Sequence, residues 1–253
     1  MLVVIENMKG VSYMKFNFYQ DVNQFYHDVY EIMLNHETQN MIPLGNLRTG
    51  YEGVDKNGWR DPAKWIMATV TNDENIVLTA MMTPPFGITL YATDNQVNAE
   101  ALRCLVEGLI VTDIEVWKVV SEKSLAEVFA DLYCSTRNLD YKVVFNQRIY
   151  ELEQVSPEVA EIGELRGTKE ADMAFLPYWI TGLSQDALNG DGVVGKDPEA
   201  YRYYINSGDL FILEVDGVPV SMAGVIRKVE KVCGVGFVYT PPYFRQRGYG
   251  AGF

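Results

Sequence analysis

Val238-Tyr239-Thr240-Pro241-Pro242-Tyr243-Phe244-Arg245-Gln246-Arg247-Gly248-Tyr249-Gly250-Ala251-Gly252-Phe253 carries a β-type run into a glycine-spaced turn. A strand that feeds a helix through Arg245-x-x-Gly248-x-Gly250 gathers several backbone N–H groups around one point. The positive end of the helix dipole would face the same point. The spacing therefore predicts a phosphate seat on an α/β framework.

Upstream of that turn, Leu210–Val215 and Val218–Arg227 read as a hairpin over Asp216-Gly217, a strong turn signal, and Val232–Tyr239 as its third strand. Asp197, Pro198 and Gly208 bracket a short helix bearing Tyr201, Tyr203 and Tyr204, with an N-cap, an N1 proline and a C′ glycine. Before it, Glu170–Leu183 has helical spacing with Met173, Leu176 and Ile180 inward, and Ser184–Lys196 is a polar, glycine-containing loop. Glu161–Thr168 is strand-like.

The first half has a similar rhythm. Val22, Phe25, Tyr26, Val29, Ile32 and Met33 trace an amphipathic helix ending near His36, after which Gly45, Gly50, Gly53 and Gly58 punctuate a polar connection. Trp65–Thr71 and Ile76–Thr83 read as a hairpin, and Ile88–Thr93 as a third strand. A helix over Val97, Ala101, Leu102, Leu105, Val106 and Leu109 follows, then a short strand around Ile114–Val120. Ser124 with Glu127 supplies a capping box for a helix whose inward face is Leu125, Val128, Phe129, Leu132 and Tyr133. Tyr141–Leu152 is strand-like. Both halves thus read helix, helix, strand, strand, strand, helix, a structural duplication with its boundary at Ser156-Pro157. The expected domains are 1–155 and 156–253.

The 253 residues, 48% of them hydrophobic, suit a globular protein of two modest domains. A net charge of −13 would repel a polyanion, so nucleic acid is not an expected partner; a cationic amine suits that field, and so does an acidity that serves solubility alone. Cys104, Cys134 and Cys233 are widely spaced and read as buried thiols of a reducing compartment. The apolar start Leu2-Val3-Val4-Ile5 is too short for a signal segment. A cytoplasmic protein without membrane or metal partners is expected. His27 and His36, the two histidines, lie far from any other metal-ligand set and make a zinc site or a Ser-His-Asp triad a poor reading.

The pattern Val238-x-Thr240-x-Pro242-x-x-Arg245-x-Arg247-Gly248-x-Gly250 resembles the acetyl-CoA motif of the GCN5-related N-acetyltransferases. The resemblance implies two mixed-sheet α/β (α+β) domains and a bulged, splayed strand whose free backbone groups, at Val238 and Thr240, pair with the pantetheine amides. It implies that Arg245, Gln246, Arg247, Gly248, Tyr249 and Gly250 wrap the pyrophosphate, with Tyr239 beside them. The Val238 N–H becomes the expected oxyanion donor. In the first half the corresponding turn, Tyr91 to Asn98, has no glycine or arginine. An aspartate at its helix start would cap the amides a pyrophosphate needs, so that half resembles a degenerate domain that has lost the cofactor.

The expected activity is transfer of the acetyl group of acetyl-CoA to a primary amine of a small molecule or peptide. The alternative is a non-catalytic acyl-CoA-binding or regulatory module. Asp186 and Asp191 are candidate ammonium partners, or simply solvated loop residues, and the segment 184–196 with the Tyr201–Tyr204 helix is the expected acceptor side. No general base or acid is identified: Val232–Tyr239 holds no carboxylate, Glu230 lies early, and Tyr239 and Tyr249 read as packing. The family's usual acid, a tyrosine on a later helix, would lie beyond Phe253, and truncation is the expected account of its absence. Homo-oligomerisation stays open.

Overall fold

A computed structural model describes residues 13–53, 61–155, 162–188 and 198–251. The chain divides into two compact units, Met1–Ile149 and Tyr150–Phe253. Among the described residues these hold six α-helices and two sheets, one five-stranded and mixed, one four-stranded and antiparallel, an α+β architecture.

The first unit runs β1 (Met14–Tyr19), α1 (Val22–Leu34), α2 (Met41–Tyr51), β2 (Ile66–Asn72), β3 (Asn75–Met82), β4 (Ile88–Ala92), α3 (Ala99–Val111), β5 (Val119–Val120) and α4 (Lys123–Arg137). Its strands lie in the order β1-β2-β3-β4-β5, antiparallel except for the parallel pair β4 and β5. Alternate strand residues Ala68, Val70, Leu78, Ala80, Leu90 and Ala92 pack with Leu102, Leu105, Leu109, Leu125 and Phe129 of α3 and α4, as the period of two in strands and 3.6 in helices requires.

Three sequence expectations for this unit are corrected. The polar connection over Gly45 and Gly50 is helix α2, because Leu44 and Leu47 are fully buried and their packing outweighs the poor helix propensity of glycine. Gly50 has a reason to be glycine: a Cβ there would sit 2.5 Å from the Trp65 ring. α4 is capped by Glu122, whose carboxylate accepts the Leu125 N–H, rather than by Ser124. Tyr141–Leu152 forms no strand; it lies exposed without a ladder partner, with Val143, Val144 and Ile149 all more than half exposed. β1, where Phe16 faces Val70 and Tyr19 faces Met67, is a strand that the sequence patterns did not mark.

The second unit runs β6 (Glu164–Gly167), a 3-10 turn (Glu170–Ala174), α5 (Leu176–Leu188), α6 (Pro198–Ser207), β7 (Leu210–Val215), β8 (Val218–Ile226) and β9 (Gly234–Tyr239). The sheet order is β6-β7-β8-β9, antiparallel throughout. Leu176, Trp179 and Ile180 of α5 and Tyr201 of α6 pack on Leu210, Ile212, Met222 and Tyr239. The helix expected over Glu170–Leu183 is thus a 3-10 turn followed by α5. Ser184 to Leu188, expected in a loop, belong to α5. Asp191, Asp197, Ser156 and Pro157 lie outside the described residues. Cys233 is exposed, not buried; Cys104 and Cys134 are half-buried.

The two units repeat one design down to individual registers. Each begins with a strand, passes through two helices and continues into three antiparallel strands. Both hairpins turn on two residues starting with a left-handed aspartate, Asp73 (φ 53°) and Asp216 (φ 52°). Both then bulge out the same valine: Thr71 faces Ile76 and Val70 faces Leu78, skipping Val77, while Glu214 faces Pro219 and Leu213 faces Ser221, skipping Val220. Counted from the turns, Thr79 corresponds to Met222, and the residues opposite them on the third strands are Tyr91 and Tyr239.

Candidate functional site

The third strands are where the two units part. In β4 the ladder is regular, with Met81 opposite Thr89, Ala80 opposite Leu90 and Thr79 opposite Tyr91. In β9, Gly224 faces Gly236 and Met222 faces Tyr239, so Phe237 and Val238 together oppose the single residue Ala223. This is a β-bulge, and Phe237 takes φ 53° to make it, a left-handed conformation disfavoured for a bulky side chain. The ring is held by an edge contact with Tyr204, 4.7 Å between centroids. Val238, 45% exposed, is turned outward next to it.

Past the bulge, the chain leaves β8. Ser221, fully buried, donates its hydroxyl to the Tyr239 carbonyl at 3.0 Å and lies 2.8 Å from the Thr240 hydroxyl. A short 3-10 turn, Pro242–Phe244, leads into Arg245, Gln246 (φ 63°), Arg247 and Gly248 (φ 80°), then a second 3-10 turn, Tyr249–Ala251. Among the described residues this second turn stands where the sequence predicts a helix. Thr240, Phe244, Arg245, Gln246, Gly248, Tyr249 and Gly250 line an open concavity of about 300 Å³. Every loop residue from Arg245 to Gly250 expected to wrap a pyrophosphate lines it except Arg247, which is exposed.

Arg245 does not point freely at the concavity. Its Nε donates to the Thr240 carbonyl at 2.8 Å, its Nη2 donates to Asp186 of α5, and its guanidinium lies over the Tyr239 ring. The hydrogen bond to Asp186 holds the Arg245 guanidinium above its ordinary range, so it stays charged at any working pH. Asp186, a candidate ammonium partner or solvated loop residue in the sequence, lies in helix α5, not in a loop, and pairs with Arg245. Tyr239 is buried against α5, where a Cβ on Gly182 would meet its hydroxyl at 2.2 Å. Burial raises the phenol above its usual value and Asp186 adds to this, while Arg245 opposes both. Tyr249 is half-buried, edge-on to Phe244.

The first unit fills the corresponding turn with its own side chains. Asn98 caps α3 by accepting from Glu100 N and Ala101 N, both at 3.0 Å, and Asp94 accepts from Gln96 N at 3.0 Å. The cap is therefore an asparagine, not the aspartate the sequence suggests. Tyr91 shares a 2.7 Å hydrogen bond with His36 Nδ1, and His36 Nε2 meets the Asn95 amide at 2.9 Å. The outer side of β4 is closed by β5 through Ile88 and Thr89.

Ser221 and Gly182 are the contributors that sequence reading missed at this site, along with the pairing of Asp186 to Arg245. Ser221 leaves a trace, a lone hydroxyl at an inward position of the apolar run Val218–Ile226; the contacts of Gly182 and Asp186 leave none, because their partners lie more than fifty residues away. Among the described residues no group of His, Cys, Asp and Glu could hold a metal ion, and no helix is long and apolar enough to cross a membrane. The sequence matches no model of a known protein family and no curated protein.

Proposed function

We propose that the second unit binds acetyl-CoA and that the protein is an N-acetyltransferase of the GCN5-related type, in a tandem form whose first half lacks the cofactor. The observation that carries this reading is the bulge at Phe237 and Val238 directly ahead of the glycine-spaced loop, in a strand whose counterpart β4 runs without one. A bulge removes ladder pairing and turns backbone groups outward, which is what an extended amide-bearing ligand needs in order to add to a strand. The concavity beyond it is lined by Gln246 and Gly248, with φ of 63° and 80°, and left-handed residues in a tight loop are what backbone N–H groups need in order to gather around an anion.

In the proposed reaction the acceptor amine gives up a proton, its nitrogen attacks the thioester carbon, and the developing oxyanion takes a hydrogen bond from Val238 N–H. The C–S bond then breaks, and the departing thiolate is protonated. The pyrophosphate takes over Arg245 from Asp186, since two phosphate charges compete well with one exposed carboxylate. The acceptor is a primary amine of a small molecule or peptide, whose positive charge suits a chain of net charge −13.

Calorimetric titration of the full chain with acetyl-CoA tests the reading. Binding is expected in the wild type and should vanish in Arg245→Glu combined with Gly248→Val, which reverses a charge and puts a β-branched side chain at positive φ. No binding by the wild type would sink the proposal. A thiol-release assay over a panel of amines tests turnover; silence with cofactor bound would make the protein a non-catalytic acyl-CoA-binding or regulatory module.

A further inference from the structure

Ser221 and Thr240 form a pair of hydroxyls whose protons can be assigned. The Tyr239 carbonyl carries no proton, so the 3.0 Å contact with Ser221 uses the single Ser221 proton. The Ser221 oxygen is then an acceptor, and the 2.8 Å contact with Thr240 uses the Thr240 proton. Thr240 thus has no proton left for anything else, and its oxygen is left as an acceptor. Thr240 lines the concavity, and its hydroxyl is not covered by Gly250, where even an added Cβ would stand 3.8 Å away. The first unit has no such pair: its matching positions, opposite each other in register, are Leu78 and Ala92.

Resting on the acetyl-CoA reading, we propose that Ser221 is a positioning residue that fixes the Thr240 hydroxyl as an acceptor, and that this acceptor selects a ligand amide N–H over a phosphate oxygen. A phosphate oxygen can only accept, so it gains nothing from Thr240; an amide N–H gains a hydrogen bond at a preset angle. Ser221 also pins the Tyr239 carbonyl where β9 leaves β8, and so holds the mouth of the concavity open. A buried hydroxyl in an otherwise apolar strand is costly unless fully bonded, which explains why it coincides with this departure and with no other point of β8.

Two probes separate the roles: acetyl-CoA, which has amides and an adenosine-linked pyrophosphate, and ADP, which keeps the adenosine and the pyrophosphate but has no amide. Titrating the full chain, Ser221→Ala and Thr240→Val should each weaken acetyl-CoA about tenfold, the value of one well-placed hydrogen bond, and leave ADP within about twofold. Thr240→Ser should keep wild-type affinity for both. The double variant should bind acetyl-CoA no more weakly than Thr240→Val, because both changes act through one hydroxyl. A parallel loss of ADP affinity, additive losses in the double variant, or unchanged acetyl-CoA affinity would each overturn the inference while leaving the cofactor reading standing. A wild-type chain that binds neither probe would overturn both.

Discussion

Arg245 of the loop donates to the carboxylate of Asp186 on α5, so the loop's guanidinium is tied to an anion of the protein's own. Both partners are substantially exposed, and such pairs add little to stability. On the acetyl-CoA reading the pairing matters for binding, because the ligand's phosphate would have to displace Asp186 or share Arg245 with it. Asp186→Asn should therefore raise acetyl-CoA affinity about threefold to tenfold. The thermal midpoint should move little, and the binding should weaken with added salt more steeply than in the wild type. Calorimetry at two ionic strengths checks this; a loss of affinity would show that Asp186 supports the loop instead of competing with its ligand.

Deleting Phe237 offers a direct test of the bulge. One residue fewer between Gly236 and Tyr239 gives β9 the register of β4, with Ala223 facing a single residue as Ala80 faces Leu90. The deletion also removes a left-handed backbone position occupied by a bulky residue, a relief of about 1 kcal/mol. The loss of its contact with Tyr204 offsets part of that. The unit should remain folded by circular dichroism while acetyl-CoA binding is lost; retained binding would show that the ligand does not need the bulge.

Gly182→Ala sets two effects against each other. In an isolated helix the change would stabilise by about 1 kcal/mol. Here the new methyl would lie 2.2 Å from the Tyr239 hydroxyl and 2.8 Å from its ring, and the rigid ring cannot yield without moving β9. Overpacking of this kind costs about 1–3 kcal/mol, so net destabilisation is expected, together with weaker acetyl-CoA binding. Tyr239→Phe in the same chain removes the closest atom and should recover part of both, measured by denaturant unfolding and titration.

Arg166 forks onto Asp172, with bonds of 2.7 and 2.8 Å, and also holds Glu214 across the β6–β7 pair. Asp172 is 2% exposed. Burial alone would raise its pKa, but the Arg166 fork and the Lys169 amide outweigh this and hold the carboxyl below its ordinary value. A depressed carboxylate contributes stability that is complete above the unfolded pKa, about 4, and is lost as pH falls through the folded value. Stability of the second unit should thus decline in acid below about pH 4. Arg166→Met, which strands a buried carboxylate, should cost about 3 kcal/mol at neutral pH. Asp172→Asn should flatten the acid limb of denaturant midpoint against pH; an unchanged limb would assign the acid response to other carboxylates.

Much of the fold is written locally. Asp216-Gly217 is enough to place a hairpin between apolar runs, because two residues that tolerate positive φ make a turn matching the strand twist. The helical spacing of Leu102, Leu105, Val106 and Leu109 fixes α3 in the same way. Helix α2 was not legible, since its glycines speak against a helix and only the burial of Leu44 and Leu47 in the folded unit overrules them. Tyr141–Leu152 failed in the opposite sense: its residues favour a strand, but a strand needs a neighbour, and which segment lies alongside is not a local property.

For the loop from Arg245 to Gly250, the sequence alone determined a tight turn after a strand, because glycine at fixed spacing is a statement about φ and ψ that holds wherever the chain is placed. Tertiary structure alone decided that β9 carries one residue more than β4 does, that Ser221 sits under the point of departure, and that Arg245 finds Asp186. Each of these is a pairing between segments distant in sequence. Such pairings depend on cross-strand register and helix placement, which the whole core sets together and no single stretch of residues encodes.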